Sequence, residues 1–166
     1  MTVRYASPYG VVEFSGPVLK VFDVHRQNGD DAREAGGQLF AKLEPSRVLL
    51  LKATRPNRHD IRSRYSFLPN RKREQRDINA SFRAGLHYIG DWHTHPEDCP
   101  VASGPDIHKI QAVFRESRHS LAAMLLVVIG RASGADGIWC ALIGERKVRV
   151  LSPIRDESSL QPMLST

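Results

Sequence analysis

Residues 93 to 106 read H-T-H-P-E-D-C-P-V-A-S-G-P-D, a segment rich in groups that could bind a metal. An extended strand alternates its side chains, so His93 and His95 share one face while Trp92 and Thr94 take the other. Asp106 falls at the start of a helix that Ser103 is placed to cap. Two imidazoles and one carboxylate suit a single tetrahedral zinc ion with one open corner, and water at such a corner becomes a nucleophile near neutral pH. Hydrolysis of an amide needs that nucleophile and a base to carry its proton to the leaving amine. Glu34 is the candidate base, just ahead of G-G-Q-L-F-A-K-L, where Gly36 and Gly37 permit close approach of backbone or substrate. Structural readings stand beside these. An H-x-H pair alone is common, Asp106 and Ser103 serve a helix start equally well, and Glu34 alone reads as an exposed loop acid. Cys99 is a fourth ligand, a redox brake or an inert thiol; inertness is favoured, since a thiolate would close the corner that hydrolysis needs. Asp91 reads either as a hydrogen-bond acceptor for a ligating imidazole or as a strand-edge carboxylate, and His108 as a surface residue.

The elements that must hold these groups follow from periodicity. Residues 9 to 14 read as a first strand, and Val18, Val21, Phe22 and His25 as the stripe of an amphipathic helix ending near Asn28-Gly29. G-G-Q-L-F-A-K-L and R-V-L-L-L-K-A are expected to pair as a hairpin across Glu44-Pro45-Ser46. Residues 55 to 72 form a long charged excursion with prolines at 56 and 69 and one short strand, R-Y-S-F-L. Asn70 then caps a helix to about Ala84, with Ile78 and Phe82 inward and Gly85 as its stop. L-H-Y-I-G-D-W-H delivers the histidines. A helix over about 104 to 117 turns Ile107, Ile110 and Phe114 inward, and three strands follow: L-A-A-M-L-L-V-V-I, G-I-W-C-A-L-I and K-V-R-V-L. This order predicts an α/β fold of the α+β type, a single mixed, mostly antiparallel sheet flanked by helices. Residues 1 to 155 are expected to form one domain, followed by a polar tail over 156 to 166.

Composition limits the function classes. With 166 residues, 41% hydrophobic and 25% charged, the chain is of globular type, and no apolar run approaches the roughly 20 residues that cross a bilayer. The N-terminus lacks the apolar core of a secretion signal, so a cytoplasmic protein is expected. Cys99 and Cys140 alone support neither a disulfide framework nor a thiolate zinc finger. The net charge is +6, and eight Lys or Arg fall between Arg55 and Arg76 against Asp60 and Glu74. That stripe suits an acidic partner, nucleic acid or protein, or is a merely solvated face. A basic nucleic-acid binding module with a structural zinc therefore competes with the hydrolase. Against it, few aromatics beyond Tyr65 and Phe67 interleave the stripe, and a structural zinc ordinarily takes four protein ligands.

Glu34, then His93-Thr94-His95-Pro96, six intervening residues, Ser103 and Asp106, resembles the JAMM (JAB/MPN) metalloproteases, whose pattern is an upstream Glu, H-x-H-P and S-x-x-D. The G-D-W before His93 and the E-A-G-G-Q-L-F around Glu34 are similar to that family as well. The resemblance implies the MPN/JAB, cytidine-deaminase-like architecture, with one catalytic zinc held by His93, His95 and Asp106. It makes Glu34 the general base and gives Ser103 a part in holding the oxyanion. It further implies an isopeptidase acting on a protein substrate with an extended C-terminus. Within the prokaryotic branch, R-S-R-Y-S-F-L-P-N, E-Q-R-D-I and F-R-A-G-L-H-Y-I-G-D-W-H-T-H-P are most similar to the isopeptidases of antiphage CBASS operons. There the conjugated protein is a cGAS-like nucleotidyltransferase. Related enzymes act instead on a ubiquitin-like or sulfur-carrier protein.

Overall fold

The computed structural model describes residues 2 to 155; the tail expected over 156 to 166 lies outside the described residues. In chain order the strands are Val3–Ser7 (β1), Gly10–Phe14 (β2), Gly36–Glu44 (β3), Arg47–Ala53 (β4), Ile61–Arg62 (β5), Phe67–Leu68 (β6), His87–Thr94 (β7), Met124–Ile129 (β8), Ile138–Ile143 (β9), Val148–Val150 (β10) and Ser152–Pro153 (β11). The helices are Gly16–His25 (α1), Arg71–Arg83 (α2) and Gly104–Glu116 (α3). One sheet of nine strands runs β10-β9-β8-β7-β3-β4-β2-β1-β11, and β5 and β6 form a separate two-stranded ribbon. Pairing is antiparallel except for β2 with β4 and β7 with β8, which is the mixed, mostly antiparallel sheet expected.

Two layers of core explain which face carries the chemistry. On one side α1 places Val18, Val21 and Phe22 against Phe14, Leu39, Leu50 and Trp92. On the other, α3 places Ile110 against Met124, Leu126 and Ile143. β8 is covered on both faces, so M-L-L-V-V-I is apolar throughout rather than alternating. In β7, Trp92 turns to the α1 side, its ring 5.2 Å from Phe22. His93 and Asp91 consequently face α2 and α3. Gly90 is where β7 crosses closest to β8: a Cβ there would collide with the Leu125 carbonyl.

Several boundaries differ from the sequence reading. β1 was not expected; its five residues gain strand character from pairing with β2 on one side and β11 on the other. α1 ends at His25, leaving Gln27 beyond it as a buried polar residue. β8 begins at Met124 rather than at Leu121. R-Y-S-F-L contributes only Phe67 and Leu68 to a strand, its first residues being spent on the turn that pairs them with β5. Phe82 is 67% exposed rather than inward. The small Ser81 takes the inner position of α2, accepting a hydrogen bond from Lys52 Nζ at 3.0 Å, and this rotation turns Phe82 out toward His87.

Candidate active site

Strand β7 brings His93 to the sheet's α3 face, and the chain runs one residue past it so that His95 N donates to Ile129 O at 2.9 Å. The following loop is pinned under β8's end: Arg131 N donates to Glu97 O at 2.6 Å, and Arg131 Nε meets Asp98 at 2.9 Å. Gly130 makes this fit possible, since a Cβ there would stand 2.6 Å from Glu97 O, Asp98 O and Pro100 Cδ. The loop ends at Ser103, which caps α3 in a reciprocal box. Asp106 N donates to Ser103 Oγ at 3.2 Å, and Ser103 N donates to Asp106 Oδ2 at 2.8 Å.

The donor atoms converge. His93 Nε2 and His95 Nε2 are 3.1 Å apart, and each lies 3.2 Å from Asp106 Oδ2. Ligand atoms about 2.1 Å from a tetrahedral zinc lie about 3.4 Å from one another, so the triangle fits one such ion with little adjustment. Two ring nitrogens and a carboxylate oxygen turned on one point are also the donor set that a borderline metal takes. Burial pushes the Asp106 carboxyl up, but the two imidazoles and the Ser103 N–H together hold it well below the usual carboxylate range. The bond to Asp106 raises the His95 imidazole above its ordinary value.

Glu34 is buried, 8% exposed, and burial pushes its carboxyl up against the opposing pull of His93 and His95. The exposed-acid reading is thereby excluded. Its main chain is held by the ribbon: Glu34 N donates to Ser63 O at 2.6 Å, and Arg62 Nε donates to Glu34 O at 2.8 Å. Glu34, His93 and Asp106 line one cavity of about 200 Å³, together with Phe67, Glu74 and Asp91. A larger hollow of about 860 Å³ lies among Ile78, Phe82, Arg118 and Leu121 and contains none of these groups. The five residues singled out by sequence therefore stand in one region, with Ser103 exposed at its edge and tied to Asp106.

The secondary candidates resolve differently. Cys99 is exposed and stands outside the His93, His95 and Asp106 group. Asp91 accepts from Tyr88 Oη at 2.7 Å, and burial raises its carboxyl; no hydrogen bond to an imidazole is seen among the described residues. His108 is on the surface. The Arg55 to Arg76 stripe is partly consumed internally. Besides Arg62, Arg64 Nη1 donates to the carbonyls of Gly29 and Asp30, and Arg73 Nη1 to Arg55 O. Sequence reasoning missed this use of arginine, and also missed Gln27, whose position past a helix end gives no sign of burial.

A family model described as prokaryotic homologs of the JAB domain matches residues 21–149. The chain is 32% identical, over 87% of its length and 90% of the relative's, to a Pseudomonas aeruginosa (strain BWHPSA011 / Pa011) protein named CD-NTase/cGAS isopeptidase. A Vibrio cholerae protein of the same name is 32% identical over 73% of this chain and 77% of its own. A Sinorhizobium fredii protein named as a probable metalloprotease is 29% identical over 68% and 73%. Among solved structures, a Desulfitobacterium hafniense protein superposes with a TM-score of 0.58 at 16% identity, covering 82% of this chain and 87% of that one, which is a likeness of fold. The match runs from within α1 into β10 and takes in Glu34, both histidines, Ser103 and Asp106, so the chain belongs to the prokaryotic homologues of the JAB domain and is a hydrolase of that family.

Proposed function

We propose that this protein is a zinc-dependent isopeptidase that cuts after the C-terminus of a conjugated protein, releasing a cGAS-like nucleotidyltransferase from its target in antiphage defence. One observation carries the reading: three metal-binding atoms stand 3.1 to 3.2 Å apart, and two of their residues, His93 and Asp106, line a cavity together with the buried Glu34. The relatives named CD-NTase/cGAS isopeptidase support the choice of substrate. His93, His95 and Asp106 would hold the ion. Zinc, when bound, supplies a Lewis acid that polarises the scissile carbonyl and makes water acidic.

The remaining work falls to side chains. Glu34 takes a proton from the attacking water and returns it to the departing amine, and burial pushes its carboxyl up from the ordinary value, which makes it a stronger base. Ser103 Oγ already accepts from Asp106 N, which leaves its own O–H free to donate to the oxyanion. The substrate's tail lies extended beside the sheet, held by main-chain hydrogen bonds as an added strand, and a small residue such as Gly or Ala passes the narrow approach.

The test is a nucleotidyltransferase of this class joined through its C-terminus to a lysine-bearing reporter. The purified protein should release the reporter, chelation should stop it, and zinc should restore it. Glu34→Gln should keep zinc and lose turnover by about 10²-fold or more, the range of general-base contributions. Wild-type turnover by that variant would remove Glu34 from its role. Cleavage of a ubiquitin-like conjugate but not of the nucleotidyltransferase would reassign the substrate.

A further inference from the structure

Between the base and the ligand strand lies a buried polar node that the reaction as described does not use. Gln27 is 1% exposed and Thr94 is fully buried. Ala35 N donates to Thr94 Oγ1 at 2.9 Å, and Thr94 Oγ1 donates to Gln27 Oε1 at 2.8 Å. Gln27 Nε2 then donates to Ala32 O at 3.1 Å and to Arg64 O at 2.8 Å. The hydroxyl thus both donates and accepts, and the amide uses its oxygen and both N–H groups, so nothing in the node is left to rearrange. Polar groups paired this fully in a buried place rigidify what they join.

What they join is specific. Thr94 sits between His93 and His95 in sequence and points away from them, and its own N–H donates to Ala35 O at 2.9 Å. Ala35 follows Glu34, and Ala32 precedes it by two residues. Arg64 belongs to the turn between β5 and β6, whose Ser63 O and Arg62 Nε grip the Glu34 main chain. Glu34 is therefore referenced to the ligand strand twice, directly through Ala35 and Thr94 and indirectly through the ribbon and Gln27.

We propose that Gln27 and Thr94 are positioning residues that lock the Glu34 segment, the β5–β6 ribbon and the metal-ligand strand into one frame, fixing where the base stands relative to the ion. This rests on the hydrolase reading above and adds residues that touch neither substrate nor metal. A misplacement of about 1 Å in a reacting group can cost on the order of 10²-fold in rate, so the node is felt in turnover.

Four variants test it: Gln27→Met, Gln27→Glu, Thr94→Val and Thr94→Ser. Gln27→Glu serves if Gln27→Met fails to fold, because it keeps the shape while turning a carboxyl oxygen, in place of the amide donors, toward the Ala32 and Arg64 carbonyls. The readouts are zinc content, kcat and KM, and hydrogen–deuterium exchange of peptides covering 30 to 36 and 61 to 68. Gln27→Met, Gln27→Glu and Thr94→Val should keep full zinc content and a KM within about twofold, while kcat falls about 10- to 100-fold. Thr94→Ser, which retains the hydroxyl, should stay within about threefold of wild type. Exchange should rise in both peptides for the Gln27 variants, with β8 unchanged. In a Glu34→Gln background the same changes should lower the residual rate no further, because the effect runs through Glu34.

An unchanged kcat in a folded Gln27 variant overturns the proposal, as does an equal further loss in the Glu34→Gln background. If wild type cleaves no conjugate, the isopeptidase reading is what fails. The exchange measurement still decides the frame, and unchanged uptake at 30 to 36 and 61 to 68 would refute it.

Discussion

The two sides of the site are built by different means. The side proposed to bind the metal is built on sheet register and a capped helix start. His93 sits in register between β3 and β8, opposite Gly36 and Val128, and Asp106 is set by a capping box at a helix start. On the base side two main-chain bonds, Glu34 N to Ser63 O and Thr94 N to Ala35 O, are supplemented by side chains, Arg62, Arg64 and Gln27, that tie loop carbonyls together. Charge follows the same division. Asp106 is half-buried beside two imidazoles and held low, whereas the buried Glu34 and the half-buried Glu74 are pushed up by desolvation. Sheet register resists single substitutions, because many backbone bonds share the load; a frame of a few side chains does not.

Substitutions can break or sharpen this contrast. The largest effect is expected for Asp106→Ala, which removes a proposed metal ligand and one half of the capping box together. Metal analysis of the purified variant should find zinc lost, and turnover should drop to background, while the strand histidines stay in place. Next is Gly130→Ala, aimed at the tight backbone approach beneath the loop that follows His95. The new Cβ must displace the 97 to 100 segment, because three atoms stand 2.6 Å from it. Weaker zinc affinity by about tenfold, read by competition with a chelating dye, is expected, in the range seen when groups supporting metal ligands are disturbed. No change would mean that the loop is less rigid than its hydrogen bonds indicate.

The smallest effect concerns Glu74, whose carboxyl is raised by burial, and then by Asp91, from the ordinary 4.5 to about 7. Between those two values the unfolded chain gives up a proton that the folded chain keeps. Stability therefore falls as pH rises through that window and levels off above it. Glu74→Gln abolishes this term, so its melting temperature relative to wild type should climb between pH 4.5 and 7 and then plateau. A difference independent of pH would show that Glu74 is already ionised in the folded protein.

The metal-binding side was legible in the sequence because its spacing is local. Strand alternation aligned His93 with His95, and Ser103 with Asp106 announced a helix start; both statements involve neighbours along the chain. The sheet was legible for the same reason, since β3, β4, β7, β8 and β9 each carry their own pattern. Glu34 was legible as a candidate base from Gly36, Gly37 and the metal motif downstream, but its burial was not, because that depends on Ser63 and Arg62, far along the chain. The ribbon's second strand was legible in R-Y-S-F-L, but its arginine bonds and the burial of Gln27 were not: an arginine that bonds a distant carbonyl has the same sequence signature as one in water. Phe82 was misread because its direction was settled by Lys52 and Ser81, not by the helix's own period.

The near-equilateral arrangement of His93, His95 and Asp106 carries a further physiological implication. With the donors already gathered, a divalent cation proposed to sit there would enter and leave without a conformational event. Stripping it with a chelator should therefore silence the enzyme while the scaffold stays intact. Returning the ion should restore turnover with no refolding step.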